Sequence, residues 1–271
     1  MENDQMDDTK IKNNLDHIQH VIVVLSGKGG VGKSTVAANL ALALSNEGFQ
    51  TGLLDSDFHG PTIPTLLGIE DASVTQSNKG LHPVQATEHL KVLSMGFLIE
   101  NKDNPVIWRG PMKMGAMKQL LGDFSWGSLD YLIIDLPPGT GDEPLTIAQL
   151  IPKLSGAIIV TTPQDVALVS VRKSIRFVQK LGIPVLGIIE NMSGFTCPHC
   201  HEEINIFKKG GGKHAAEDFN VPFLGSIPLD PQIVESGDKG GTIMKENSTL
   251  EHSMDKIINQ LKKIIKKRGD E

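Results

Sequence analysis

Cys197 and Cys200, three positions apart in GFTCPHCHEE (194–203), are the only thiols in 271 residues, and His199 and His201 flank them. In a reducing compartment a C-x-x-C pair suits metal ligation or redox chemistry better than a structural disulfide, because cellular reductants keep such thiols free. A second chemical centre lies far upstream in SGKGGVGKST (26–35), where Gly27 to Ser34 satisfies G-x-x-x-x-G-K-[ST], the spacing of a phosphate-binding loop. Gly27, Gly29, Gly30 and Gly32 let the backbone around Val31 turn its N–H groups inward on phosphate oxygens. The helix that opens there adds the positive end of its dipole. Lys33 is a point charge for the outer phosphates, the Ser34 hydroxyl is a ligand for Mg²⁺, and Thr35 carries the loop into the helix.

Three carboxylates complete the chemistry such a loop needs. Asp55 and Asp57 in LLDSDFHGP follow a strand-like run, and D-x-D alternation in an extended segment puts both on one side. One can orient an attacking water and the other can hold Mg²⁺ through water. Asp135 in YLIIDLPPG follows four apolar residues, as the Mg²⁺-linked carboxylate of a phosphate-loop ATPase does, and Gly139 would let that loop move with the γ-phosphate.

Regular elements must bring these residues together. The β-branched apolar runs 21–26, 51–57, 90–95, 131–137, 156–162, 183–191 and 221–228 read as buried parallel strands. Segments 34–48 and 165–182 carry apolar residues at three and four spacing and end in Gly, as helices do. Strands alternating with helices predict an α/β fold with a doubly wound, mostly parallel sheet flanked by helices and its ligands at the carboxyl edge. The polar residues 1–19 are expected to form a disordered tail. Residues 20–271 are expected to form a single phosphate-loop ATPase domain, with the C-x-x-C loop at 194–204 and a C-terminal helix at about 248–267.

With 39% hydrophobic residues the chain can bury a full core, and a net charge of −6 argues against a sequence-independent grip on nucleic acid. The first residues lack the basic start and apolar stretch of a signal peptide and no apolar run reaches membrane-span length, so a cytoplasmic location is expected.

The loop KGGVGKST resembles the deviant phosphate loop of the MinD/ParA ATPase superfamily, in which the early lysine, here Lys28, reaches across a dimer interface to the partner's nucleotide. The resemblance implies that Asp57 positions the hydrolytic water and that Asp55 stands in the outer metal shell. W-R-G-P-M (108–112), W-G-x-L-D-Y (126–131), D-L-P-P-G-T-G-D (135–142) and ENMSGFTCPHC (190–200) are similar to the Mrp/ApbC family of iron–sulfur cluster carriers within that superfamily, over roughly residues 20 to 245. That family implies an ATP-dependent homodimer that binds a labile [4Fe–4S] cluster, receives it from an upstream scaffold and passes it to apo-proteins. Asn191 matches the position that contacts adenine in relatives, and Pro228 lies in the loop that lines the base. No cysteine precedes Cys197, so the four-cysteine N-terminal motif of some relatives is not expected here, nor is their small extra N-terminal domain.

A [4Fe–4S] cluster takes four thiolates, and one chain offers two. Cys197 and Cys200 from two chains converging on a dimer axis would satisfy the count. Zinc held by the cysteines with His199 or His201, a redox dithiol, and an inert turn are the competing readings. A positioning ATPase with a structural zinc is the alternative function. Its support is the apolar stripe Leu250, Met254, Ile257, Ile258, Leu261, Ile264 and Ile265, which as an amphipathic helix could lie on an anionic membrane. The plainer reading packs that helix on the sheet. An ATP-dependent ligase or kinase would need an acceptor site. No acceptor motif is present, and His59 and His82 lack a named partner.

Overall fold

The computed structural model describes residues 2–58, 60–78, 80–98, 110–139, 141–151, 153–197, 199–200, 202–238, 240 and 248–269. Trp108 and Arg109 of the W-R-G-P-M motif, Thr140, His59 and His201 lie outside the described residues. In chain order the first half runs α1 (Glu2–Leu15), β1 (Ile18–Ser26), α2 (Lys33–Asn46), β2 (Thr51–Asp55), α3 (Ile63–Leu67), β3 (Thr75–Ser77), β4 (Gly80–His82), β5 (Val84–Thr87), β6 (Leu90–Ser94) and α4 (Gly110–Gly122). The second half runs β7 (Leu129–Asp135), α5 (Asp142–Leu150), β8 (Gly156–Thr161), α6 (Asp165–Lys180), β9 (Val185–Glu190), β10 (Phe195–Thr196), β11 (Glu203–Ile204), α7 (Gly211–Asp218), β12 (Phe223–Ser226), α8 (Pro231–Asp238) and α9 (Thr249–Gly269).

Among the described residues eight strands form one sheet in the order β12-β9-β8-β1-β7-β2-β6-β5, parallel throughout except for the antiparallel edge strand β5. The expected doubly wound sheet is therefore the observed one. β1 shows why its strands read as continuous apolar runs. Val21, Val23 and Leu25 point into a core with α4, α5, α6 and α7, while Ile22 and Val24 point into a core with α2 and α9. A strand covered on both faces has no polar side.

α9 buries Leu250, Met254, Ile257, Ile258 and Leu261, and Ile264 and Ile265 pack against the same core. The apolar stripe that could have met a membrane is thus spent on the sheet, and no helix among the described residues is long and apolar enough to cross one. Lys262, on the same helix, pairs with Glu47 and lies 5.8 Å from the Phe49 ring.

The N-terminal segment corrects the sequence reading. Residues expected as a disordered tail form α1, which docks on α4: Ile11 is 1% exposed, Leu15 is buried, and Lys10 pairs with Asp123 at 3.0 Å. Asn14 Nδ2 donates to the carbonyls of Leu121 (3.0 Å), Gly122 (3.0 Å) and Phe124 (2.9 Å), so one side chain caps the end of α4. A short helix with so few apolar positions is marginal alone and gains its stability from the surface it covers, which periodicity does not reveal. Asn14→Ala leaves helix-end carbonyls without a donor and is expected to cost about 1–3 kcal/mol. Thermal unfolding reads that loss, and faster amide exchange over residues 2–15 would localise it.

Candidate functional site

The last residues of β1, β2, β7 and β9, namely Ser26, Asp55, Asp135 and Glu190, all reach the carboxyl edge of the sheet, where β2 and β7 pair Asp55 with Asp135. Ligands of open α/β sheets bind at this edge. The phosphate loop leaves β1 there. Gly32 (φ 77°) sits at the N-cap of α2, and a Cβ on it would lie 2.3 Å from Asn191 Nδ2, so only glycine lets Asn191 approach. Gly27 is equally confined, since a Cβ there would lie 2.6 Å from the backbone of Ser170 in α6. The D-L-P-P-G loop folds against the phosphate loop, with Gly139 N–H donating to the Ser26 carbonyl at 2.8 Å.

Lys33, 6% exposed, forms an ion pair with Asp135 and lies 3.2 Å from Ser34 Oγ. Asp135 is fully buried. Burial holds its carboxyl above the ordinary range, with Lys33 pulling the other way and Asp57 adding to the rise. Asp135 Oδ2 has no hydrogen-bond partner among the described residues. A buried, unpaired carboxylate oxygen beside a serine hydroxyl at a phosphate loop fits a hard divalent cation such as Mg²⁺.

Of the D-x-D pair only Asp55 lies within the strand. β2 ends at Asp55, so Asp57 is positioned by the turn beyond the strand. Asp55 is buried, and its Oδ2 accepts from Ser94 Oγ at 2.9 Å and from Ile63 N–H at 3.3 Å, while Oδ1 accepts from Asp57 N–H at 3.2 Å. Burial, and then the neighbouring charge of Asp135, push its carboxyl up to about 7. Asp57 is half-buried and accepts from Gly60 N–H at 3.3 Å. Asp55 is therefore held inside the fold by its hydrogen bonds, and Asp57 is the more open carboxylate of the two. Lys28 is half-buried, with its Nζ 3.4 Å from Gln164 Oε1 at the start of α6.

Beside the loop lies a mostly apolar cavity of about 180 Å³ lined by Gly32, Val36, Asn191, Pro228, Leu229 and Ile233 among others. Asn191 and Pro228, both singled out in sequence, meet here although 37 positions separate them. Asn191 Nδ2 donates to the Val31 carbonyl at 2.9 Å and so joins the cavity to the phosphate loop. Asn39 and Asp230 also line it and escaped the sequence reading. The signal for Asn39 was a polar residue inside the otherwise apolar helix STVAANLALAL; its amide oxygen is buried with no hydrogen-bond partner among the described residues.

The cysteines occupy the turn of a small hairpin formed by β10 and β11, with Cys197 N–H donating to the Glu202 carbonyl at 3.0 Å. Cys200 is exposed and Cys197 half-buried, and neither is in a disulfide. The backbone N–H groups of Cys200 and His199, together with the Cys200 thiol, hold the Cys197 thiol below its ordinary value. A hairpin turn is not the helix N-terminus that a redox dithiol uses, whereas N–H groups aimed at sulfur favour a thiolate ligand. Among the described residues no group of three or more His, Cys, Asp and Glu could hold a metal. His82, which lacked a named partner in the sequence, shares a hydrogen bond with Ser77 Oγ in the β3–β4 ribbon.

Comparison with known proteins bears on this geometry. The profile of the ParA family, described as NUBPL iron-transfer P-loop NTPase, matches residues 17–264. An iron–sulfur cluster carrier protein of Methanocaldococcus jannaschii is 50% identical over 254 residues, covering 94% of this chain and 88% of that protein. The cytosolic Fe–S cluster assembly factor CFD1 of Saccharomyces cerevisiae is 48% identical over 258 residues, covering 91% and 88%. A solved nucleotide-binding protein from Archaeoglobus fulgidus in complex with ADP superposes with a TM-score of 0.79 at 42% identity, covering 90% of this chain and 96% of that one. The cell-division ATPase MinD of Pyrococcus furiosus superposes at 0.64 with 24% identity, covering 91% and 99%, and shares the fold.

Proposed function

The chain belongs to the ParA family of NUBPL-type iron-transfer P-loop NTPases, and from that membership we propose that it is an ATP-hydrolysing carrier that holds a [4Fe–4S] cluster between two copies of itself and hands it to apo-proteins. The observation that carries the reading is the half-complete ligand set. The described residues of one chain offer two exposed-turn thiols and no cluster of three or more metal-binding side chains, so four-thiolate coordination needs a second copy. Lys28 fits the same assembly, since its Nζ turns to Gln164 Oε1 at the start of α6 while Lys33 pairs with Asp135.

In this reading the phosphate loop from Gly27 to Thr35 binds ATP, Asn191 and Pro228 hold the base, and Lys33 stabilises charge on the outer phosphates. Ser34 and Asp135 would hold Mg²⁺, with Asp55 behind them; bound there, the ion neutralises phosphate charge. Asp57, open and near Asp135, orients the hydrolytic water, and Lys28 serves the partner's nucleotide. The partners are an upstream scaffold and apo iron–sulfur proteins, and the words "cytosolic" and "carrier" in the names of relatives support a cytoplasmic role.

Anaerobic reconstitution with iron and sulfide, followed by visible absorption and transfer to an apo-protein, tests the proposal. About two irons per chain and activation of the acceptor are expected. One zinc per chain with no iron uptake would replace this reading by the zinc-bearing positioning ATPase.

A further inference from the structure

Glu190 ends β9 with 1% exposure, and its carboxylate is filled from two directions. Oε1 accepts from Ser193 Oγ at 2.5 Å and from Gly210 N–H at 2.8 Å, and Oε2 accepts from Gly212 N–H. Ser193 immediately precedes the excursion 194–209 that carries both cysteines, and Gly210 to Gly212 receive the chain afterwards as it enters α7. One buried side chain therefore fastens both stems of the cysteine hairpin. The fit is close, because a Cβ on Gly212 would lie 3.1 Å from Glu190 Cβ.

The same stretch is fastened to the nucleotide cavity on its other side. Asn191, the next residue, donates to Val31 of the phosphate loop at 2.9 Å. The Glu190 carbonyl accepts from Ile227 N–H at 2.8 Å, Ser193 N–H donates to the Ile227 carbonyl at 2.9 Å, and Leu229 N–H donates to the Gly194 carbonyl at 2.8 Å. Ile227, Pro228 and Leu229 line the cavity. Any shift of that loop would be passed to residues 190–194 through these main-chain hydrogen bonds. The shared carboxylate joins the two stems at their base, where the chain leaves β9 and enters α7, in addition to the β10–β11 pairing further out.

We propose that Glu190 is the positioning residue that couples the nucleotide cavity to the Cys197–Cys200 hairpin. The inference rests on the reading above that nucleotide and cluster are handled by one machine. It assigns no contact with nucleotide or metal to Glu190, which acts through Ser193 and the Gly210–Gly212 backbone. In Glu190→Gln one carboxylate oxygen becomes an NH2 that must face a backbone N–H, so Gly210 or Gly212 loses its acceptor and the stem that enters α7 is held less firmly.

The test is the alkylation rate of Cys197 and Cys200 by iodoacetamide in the full metal-free chain, without nucleotide, with ADP, and with a non-hydrolysable ATP analogue. In the parent protein nucleotide is expected to change the rate about fivefold or more, the lower end of ordinary coupling between sites. In Glu190→Gln the ratio should fall below about twofold while nucleotide affinity stays within about threefold, a split that a purely structural role would not produce. Ser193→Ala keeps the buried charge and removes one bond; it should give an intermediate ratio and serves if Glu190→Gln does not fold. A parent ratio of one would sink the coupled-carrier reading and this inference with it. A large parent ratio that both variants retain would overturn this inference alone, as would a loss of nucleotide affinity in Ser193→Ala as large as the loss of ratio.

Discussion

Cys197→Ser and Cys200→Ser are each expected to abolish stable cluster binding, taking the parent protein's roughly two irons per chain to near zero. In the proposed shared site two-fold symmetry would duplicate the change, so a single substitution would remove two of four thiolate ligands at once. Nucleotide binding should survive in both variants, because Lys33 and the phosphate loop are built from other elements. Transfer of a cluster to an apo-protein should vanish with it. A monomer carrying four irons would refute the shared site and bring His199, His201 or an external thiol into the coordination sphere. The pH dependence follows from the lowered Cys197 thiol. Ligation requires the thiolate, so uptake is expected to decline as pH falls, with Cys197 keeping its thiolate to lower pH than an ordinary cysteine.

Lys33→Ala should lose nucleotide affinity by about 10- to 100-fold, the equivalent of about 1.5–3 kcal/mol for hydrogen bonds to a charged group, and turnover with it. The variant is expected to fold. Asp135, deprived of its partner, is already held above the ordinary carboxylate range by burial and takes up a proton. A buried carboxyl whose folded pKa exceeds its unfolded one destabilises increasingly as pH rises through that interval. The melting temperature of Lys33→Ala should therefore fall with rising pH more steeply than that of the parent chain, where Lys33 opposes the rise. Asp57→Ala is the contrasting variant, keeping nucleotide affinity and losing hydrolysis. Unchanged ATPase activity in Lys33→Ala would remove Gly27–Ser34 from consideration as the active site.

The pattern of residues along the chain was sufficient for the sheet and the phosphate loop. Strands buried on both faces must be apolar without interruption, and a loop that wraps phosphate must place Gly, Lys and Ser at set intervals, so both leave signatures within ten residues. The strand-end position of Asp135 was legible for the same reason. Other features depend on partners distant in sequence and have no local signature. The docking of α1 rests on Asn14 reaching carbonyls more than a hundred positions away, which made a sparse amphipathic segment read as a tail. The seat of Asp57 beyond the end of β2 came from a turn that strand alternation does not anticipate. The fate of the C-terminal apolar stripe was decided by the sheet it covers, since the same stripe would suit a membrane surface. Glu190 reads in sequence as one more polar residue at the end of a strand; only folding brings Ser193, Gly210 and Gly212 to its carboxylate, because hydrogen bonds depend on positions in space and motifs record only spacing along the chain.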